Sequence, residues 1–123
     1  MAETHSIEKQ GIAAVIEHLN KVGRSVQRSK RKTFDLVVDG TFAEVKCKQM
    51  PWKKLDFIGL TDKQRQALDN SENFLLFVVC NLKSQTDPEI IEITSETLRK
   101  ATFKVESTHY IYGKNLKLIT GRT

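Results

Sequence analysis

Cysteine and histidine are scarce in this 123-residue chain, which has two of the first and three of the second. Cys47 and Cys80 each sit inside an apolar, strand-like run, where a thiol behaves as a small core residue. That placement speaks against a disulfide scaffold and predicts reduced thiols in a cytoplasmic protein. His5, His18 and His109 are scattered, and no Cys or His pair has the spacing of a zinc site. No stretch of about 18 apolar residues exists, so no membrane-spanning helix is expected and a membrane is not an expected partner. The opening MAETHSIEKQ is polar and lacks the basic-then-apolar order of a signal peptide. Internal repeats, low-complexity tracts and linkers are missing too. At this length the chain is expected to form a single domain, 1–123, around one core.

What is present is concentrated in 33–49, TFDLVVDGTFAEVKCKQ. Two apolar runs flank Asp39-Gly40, and an Asp-Gly pair between such runs is the strongest short hairpin signal, because a type I′ turn needs positive φ at both central residues. Counting outward from a two-residue loop sets Val38 opposite Thr41, Val37 opposite Phe42, Leu36 opposite Ala43 and Asp35 opposite Glu44. Opposed residues share a face, and Lys46, two residues beyond Glu44, points the same way. Two carboxylates and an amine are therefore expected to converge on a sheet whose faces are otherwise apolar, as in a sheet covered on both sides. Like charges opposed across strands destabilise. A divalent cation with oxygen ligands would compensate; the plainer reading is Asp35 in solvent at a strand end, beside a surface Glu44/Lys46 pair.

Net charge is +5, and its placement matters more than its size. Arg24, Arg28, Lys30, Arg31 and Lys32 form one run without an acid; Lys46, Lys48, Lys53 and Lys54 form a second. Both flank the hairpin in sequence, which suits a polyanion laid over a metal. A solubilising surface is the competing explanation.

Residues 6–21 read as a helix, with Glu8, Ile12, Val15 and Leu19 on one stripe, Ser6 as N-cap and Gly23 as stop. Glu8 lies near the helix start, where the dipole favours a carboxylate; it either aims at the carboxylate site or is only a first-turn charge. Residues 24–29 suggest a short edge strand. MPWKKLDFIGL, 50–60, reads as a loop in which Trp52 packs in or beside the core rather than stacking on a base. Thr61 to Gln64 forms a capping box opening a helix to about Asn70. NFLLFVVCN, 73–81, has the length and composition of a fully buried strand, joined by a crossover to the same sheet. Residues 84–88 read as a loop and 89–93 as a strand. Thr94 or Ser95 caps a short helix, and 109–112 and 116–119 are predicted strands around Gly113-Lys114-Asn115. The sum is an α/β protein on a mixed sheet.

Asp35 followed by Glu44-Val45-Lys46 on a hairpin, with a helix before and a helix and buried strand after, resembles the PD-(D/E)XK nuclease superfamily. Its compact form is similar to archaeal Holliday junction resolvases. The resemblance covers 6–81 and implies a restriction-endonuclease-like αβββαβ core, its mixed central sheet flanked by helices; no motif anchors the tail, 84–123. It implies that Asp35, Glu44 and the Val45 carbonyl hold Mg2+ or Mn2+, and that Lys46 orients the attacking water. Phe34 stands where the pattern has proline. Ile12 stands where such resolvases carry a helical glutamate, with Glu8 one turn earlier as the candidate in its place. The implied activity is metal-dependent hydrolysis of nucleic acid, DNA above RNA. Arg28, Lys30, Arg31, Lys32, Lys48, Gln49, Lys53, Lys54 and Gln64 are the candidate contacts. One site per chain cuts one strand, so a duplex or junction implies a homodimer. A non-cleaving binder of the same fold and a small α/β interaction protein are the alternatives.

Overall fold

The computed structural model describes residues 2–55, 57–82, 88–100, 110–112, 117 and 120. Helix α1 (Ala2–Lys21) begins earlier than the predicted residue 6. It ends where Gly23 takes φ of +80°, a left-handed stop that glycine adopts freely. Three strands follow: β1 (Val26–Arg28), β2 (Leu36–Val38) and β3 (Thr41–Cys47). A 3-10 turn (Trp52–Lys54) and strand β4 (Phe57–Gly59) precede α2 (Asp62–Asp69). Then come β5 (Leu75–Cys80), β6 (Glu89–Thr94), α3 (Ser95–Arg99) and β7 (Tyr110–Tyr112).

The main sheet has the order β1-β2-β3-β5-β6. β3 and β5 run parallel, with α2 in the connection between them, and the other neighbours are antiparallel. The protein is thus α/β, with a mixed five-stranded sheet and flanking helices. The capping box holds as the sequence predicts: Thr61 Oγ1 accepts the Gln64 N–H and Gln64 Oε1 accepts the Thr61 N–H. Thr94 caps α3 with a single bond, its Oγ1 accepting the Thr97 N–H.

Each sheet face carries its own core. Val15 and Leu19 of α1 pack on Leu36, Val38, Ala43, Val45, Phe77 and Val79. On the opposite face Leu76, Val78, Ile91 and Ile93 meet Leu68 of α2, Leu98 of α3, and Trp52, Leu55 and Ile58. β5 is buried on both sides, which is why its sequence is apolar without alternation. Trp52 is a core residue, only 3 % exposed.

Two expectations change. The stretch 50–60 is not simply a loop: β4 within it pairs antiparallel with β7 in a second, two-stranded sheet. That partner lies far along the chain, so no local pattern announces it. The strand expected over 116–119 lies outside the described residues except for Lys117, which is helical; the Gly113-Lys114-Asn115 turn and 84–87 also lie outside them. Among the described residues no helix is long and apolar enough to cross a membrane.

Candidate functional site

The hairpin turn is Asp39-Gly40, with φ of +51° and +81°. Val38 faces Thr41, Val37 faces Phe42 and Leu36 faces Ala43, in the register counted from the sequence. The next rung is different. The Asp35 N–H donates to the Ala43 carbonyl at 3.0 Å, although Leu36 is already the partner of Ala43. Two residues thus address one, as in a β-bulge, which re-aims a side chain and ends pairing. Asp35 is therefore not squarely opposite Glu44. Its carboxylate instead accepts the Val45 N–H at 3.0 Å, and its carbonyl accepts the Ser29 N–H at 3.0 Å.

Glu44 and Lys46 do share a face, and their side chains pair at 3.3 Å while only 12 % and 20 % exposed. Burial and the adjacent Asp35 carboxyl push the Glu44 carboxyl up to about 7; the Lys46 ammonium and a hydrogen bond from Gln64 pull it the other way and do not prevail. The ion pair stays subordinate because desolvation penalises the charged form of a buried acid more than one partly exposed ammonium offsets. Gln64 is 2 % exposed and its Nε2 also donates to the Thr33 carbonyl at 3.0 Å. It braces Glu44 from within the fold, and it also borders a further hollow that reaches Asp35 and Glu44.

These residues line an open cavity of about 500 Å3 between α1 and Ile58-Gly59. Glu8 lines it together with Asp35, Glu44 and Lys46, so all four predicted catalytic residues meet in one hollow. Ile12, where the resemblance expects a glutamate, lines it too. Gly11 lets α1 approach this closely: a methyl built there would lie 2.1 Å from Cys47 Sγ. Sequence reasoning missed Gly11, although a glycine inside a periodic helix costs about 1 kcal/mol against alanine and so signals a packing reason. Burial, with Glu8 second, pushes the Cys47 thiol up to about 12; burial also pushes Cys80 up, to about 11. Both thiols are protonated at neutral pH, as core cysteines should be.

Val45 provides a further oxygen. The Lys48 N–H donates to the Val79 carbonyl at 2.8 Å, so the even-numbered backbone groups of β3 face β5. The N–H and C=O of one extended residue point to the same side. The Val45 carbonyl therefore lies on the Asp35 side with its N–H, beyond the last rung of the β2 ladder. Two carboxylates and this carbonyl are the hard oxygen set that Mg2+ or Mn2+ takes. Among the described residues no three His, Cys, Asp or Glu side chains form a metal-holding group, so water would complete the coordination.

The predicted basic contacts divide. Lys48 and Gln49 line the cavity, and the Lys48 ammonium sits 4.8 Å from the centre of the Phe57 ring. Lys30, Lys53 and Lys54 are exposed; Lys32 is exposed beside a second hollow that also reaches Asp35 and Glu44. Arg28 is exposed on the edge strand and lines a shallow groove against α1, on another side of the molecule. Arg31 forms a two-pronged pair with Glu72 and covers the rings of Phe34 and Phe42 at 5.0 and 5.1 Å. Arg24 bridges Asp39 at the hairpin turn to Glu92 on β6. Both arginines tie distant parts of the fold together through these ion pairs.

Comparison with protein-family models, with curated proteins and with solved structures finds no match to this chain.

Proposed function

We propose that the protein is a divalent-metal-dependent nuclease of the PD-(D/E)XK kind, with a restriction-endonuclease-like core. The observation that carries this reading is the convergence of Asp35, Glu44, the Val45 carbonyl and Lys46 beside the central strand β3 of a buried sheet. A surface ion pair would not need a strand broken by a bulge, a buried glutamine held on the acid, or a carboxyl kept near neutrality.

Asp35, Glu44 and the Val45 carbonyl would hold the cation, Mg2+ or Mn2+, which would supply polarisation of a phosphate oxygen and a lowered pKa for a bound water. Lys46 sits beside Glu44 to orient the attacking water and offset charge that builds on phosphorus oxygens. Asp35 is fixed by the Val45 N–H and Glu44 by Gln64, so neither acid need reorganise as charge develops. Exposed lysines near the hollow position the polyanion without reading its sequence.

A second reading, a non-cleaving nucleic-acid binder of the same fold, is favoured by Ile12 occupying the place of the helical glutamate. Mn2+ binding followed by electron paramagnetic resonance tests the metal centre without reference to turnover. Wild type is expected to bind Mn2+, and Asp35→Ala and Glu44→Ala to weaken binding by tenfold or more while remaining folded. Unchanged Mn2+ binding in both variants would remove the centre.

A further inference from the structure

Asp35 and Glu44 form part of the wall of two separate hollows. The first, of about 500 Å3, is the one shared with Glu8 and Lys46. The second, of about 480 Å3, lies toward the start of α2 and is bordered by Lys32, Thr33, Thr61, Asp62, Lys63 and Gln64. The acid pair is thus the partition between them. Each hollow is within the size range of small-ligand pockets, which is roughly 300–1,000 Å3.

Charge is arranged alike on the two sides. The first hollow has Lys48 at its wall, its ammonium held over the Phe57 ring. The second has Lys32 and Lys63, both exposed. Each also has one acid besides the shared pair, Glu8 in the first and Asp62 in the second. A single compact anion would need cations on one side only. Cations on both sides of a cutting point suit a chain of phosphates that runs through it.

We propose that one extended polynucleotide strand passes through both hollows, with the phosphate to be cut at the Asp35/Glu44 partition. Its neighbour on one side is held by Lys48, and its neighbour on the other by Lys32 and Lys63. This path rests on the nuclease reading but makes separate demands. It requires contacts on both flanks of the cut, and it ties them to strand length. A fragment with one phosphate on one side of the partition can reach only one set of lysines.

The test is fluorescence anisotropy with labelled single-stranded oligodeoxynucleotides in EDTA, where no cleavage occurs, on wild type, Lys48→Gln and the Lys32→Gln/Lys63→Gln pair. These are surface changes, and melting curves check the fold. For an eight-nucleotide strand, each variant is expected to weaken binding by several-fold to about tenfold. Each is also expected to lower the salt slope by about 0.7 per lost phosphate contact. For a 5′-phosphorylated dinucleotide, whose two phosphates fill the partition and one flank, only one of the two variants should matter. Equal effects of both variants on the dinucleotide, or an effect of only one on the long strand, would overturn the path even if the enzyme cuts. Both-flank binding without cleavage in any metal would keep the path and discard the nuclease reading. No binding of the eight-nucleotide strand would discard the path and leave the nuclease reading to the cleavage test.

Discussion

Glu44 is the residue on which most of the proposed chemistry turns, and its environment makes a pH-dependent demand. Its carboxyl stands at about 7 in the fold against an ordinary 4.5. Between those values the folded chain keeps the proton and the unfolded chain releases it. The stabilising contribution is therefore complete below about pH 4.5 and is lost as pH rises through about 7. Wild type should lose stability across this window, by at most about 3 kcal/mol, while Glu44→Gln should show a flatter curve; urea melts at pH 5 and pH 8 measure the difference. Cation binding needs the ionised form, so Mn2+ affinity should climb over the same window. Arg31 makes the opposite kind of prediction. Its guanidinium is committed to Glu72 and two rings, so Arg31→Ala should cost about 1–2 kcal/mol of stability and leave nucleic-acid affinity nearly unchanged. An affinity loss without destabilisation would restore Arg31 to the binding surface.

At the scale of elements, the contact between α1 and β3 decides whether Glu8 reaches the site. Gly11 faces Cys47 with no room for a methyl. Gly11→Ala gains about 1 kcal/mol of helix propensity, but overpacking at a backbone contact costs about 1–3 kcal/mol. The clash should win, with a lower melting temperature. Adding Cys47→Ala to it should recover most of the loss, because the two residues are directly coupled. The hairpin was readable in advance: Asp39-Gly40 supplied both positive φ values, and register followed by counting. The bulge at Asp35 was not readable, since it depends on Ser29, just past β1, and Ala43 of β3 reaching that residue's backbone from either side. The pairing of β4 with β7 was hidden for the same reason, its partner being some 50 residues away. Helix α2 was legible to its first residue because a capping box is a local device.

For the molecule as a whole, the sequence shows basic runs on either side of the hairpin but does not sort them. Lys32, Lys48 and Lys63 border the two hollows, whereas Arg24 and Arg31 are absorbed by Glu92, Asp39 and Glu72. Ion pairs between residues this far apart in sequence can be assigned only once the sheet order is fixed. The mixed sheet follows from patterns that sequence carries well: an amphipathic first helix, an Asp-Gly hairpin and one unbroken apolar strand. The central claim is that the Asp35, Glu44 and Lys46 cluster hydrolyses phosphodiesters. Single-turnover cleavage of end-labelled single strand, duplex, four-way junction and RNA in Mg2+, Mn2+ or EDTA tests it most directly, with wild type beside Lys46→Ala. The account predicts products from wild type only with metal, and a rate lower by about 10²–10³ in Lys46→Ala with Mn2+ affinity largely kept. Wild type inert on every substrate in both metals, or Lys46→Ala as fast as wild type, would contradict it.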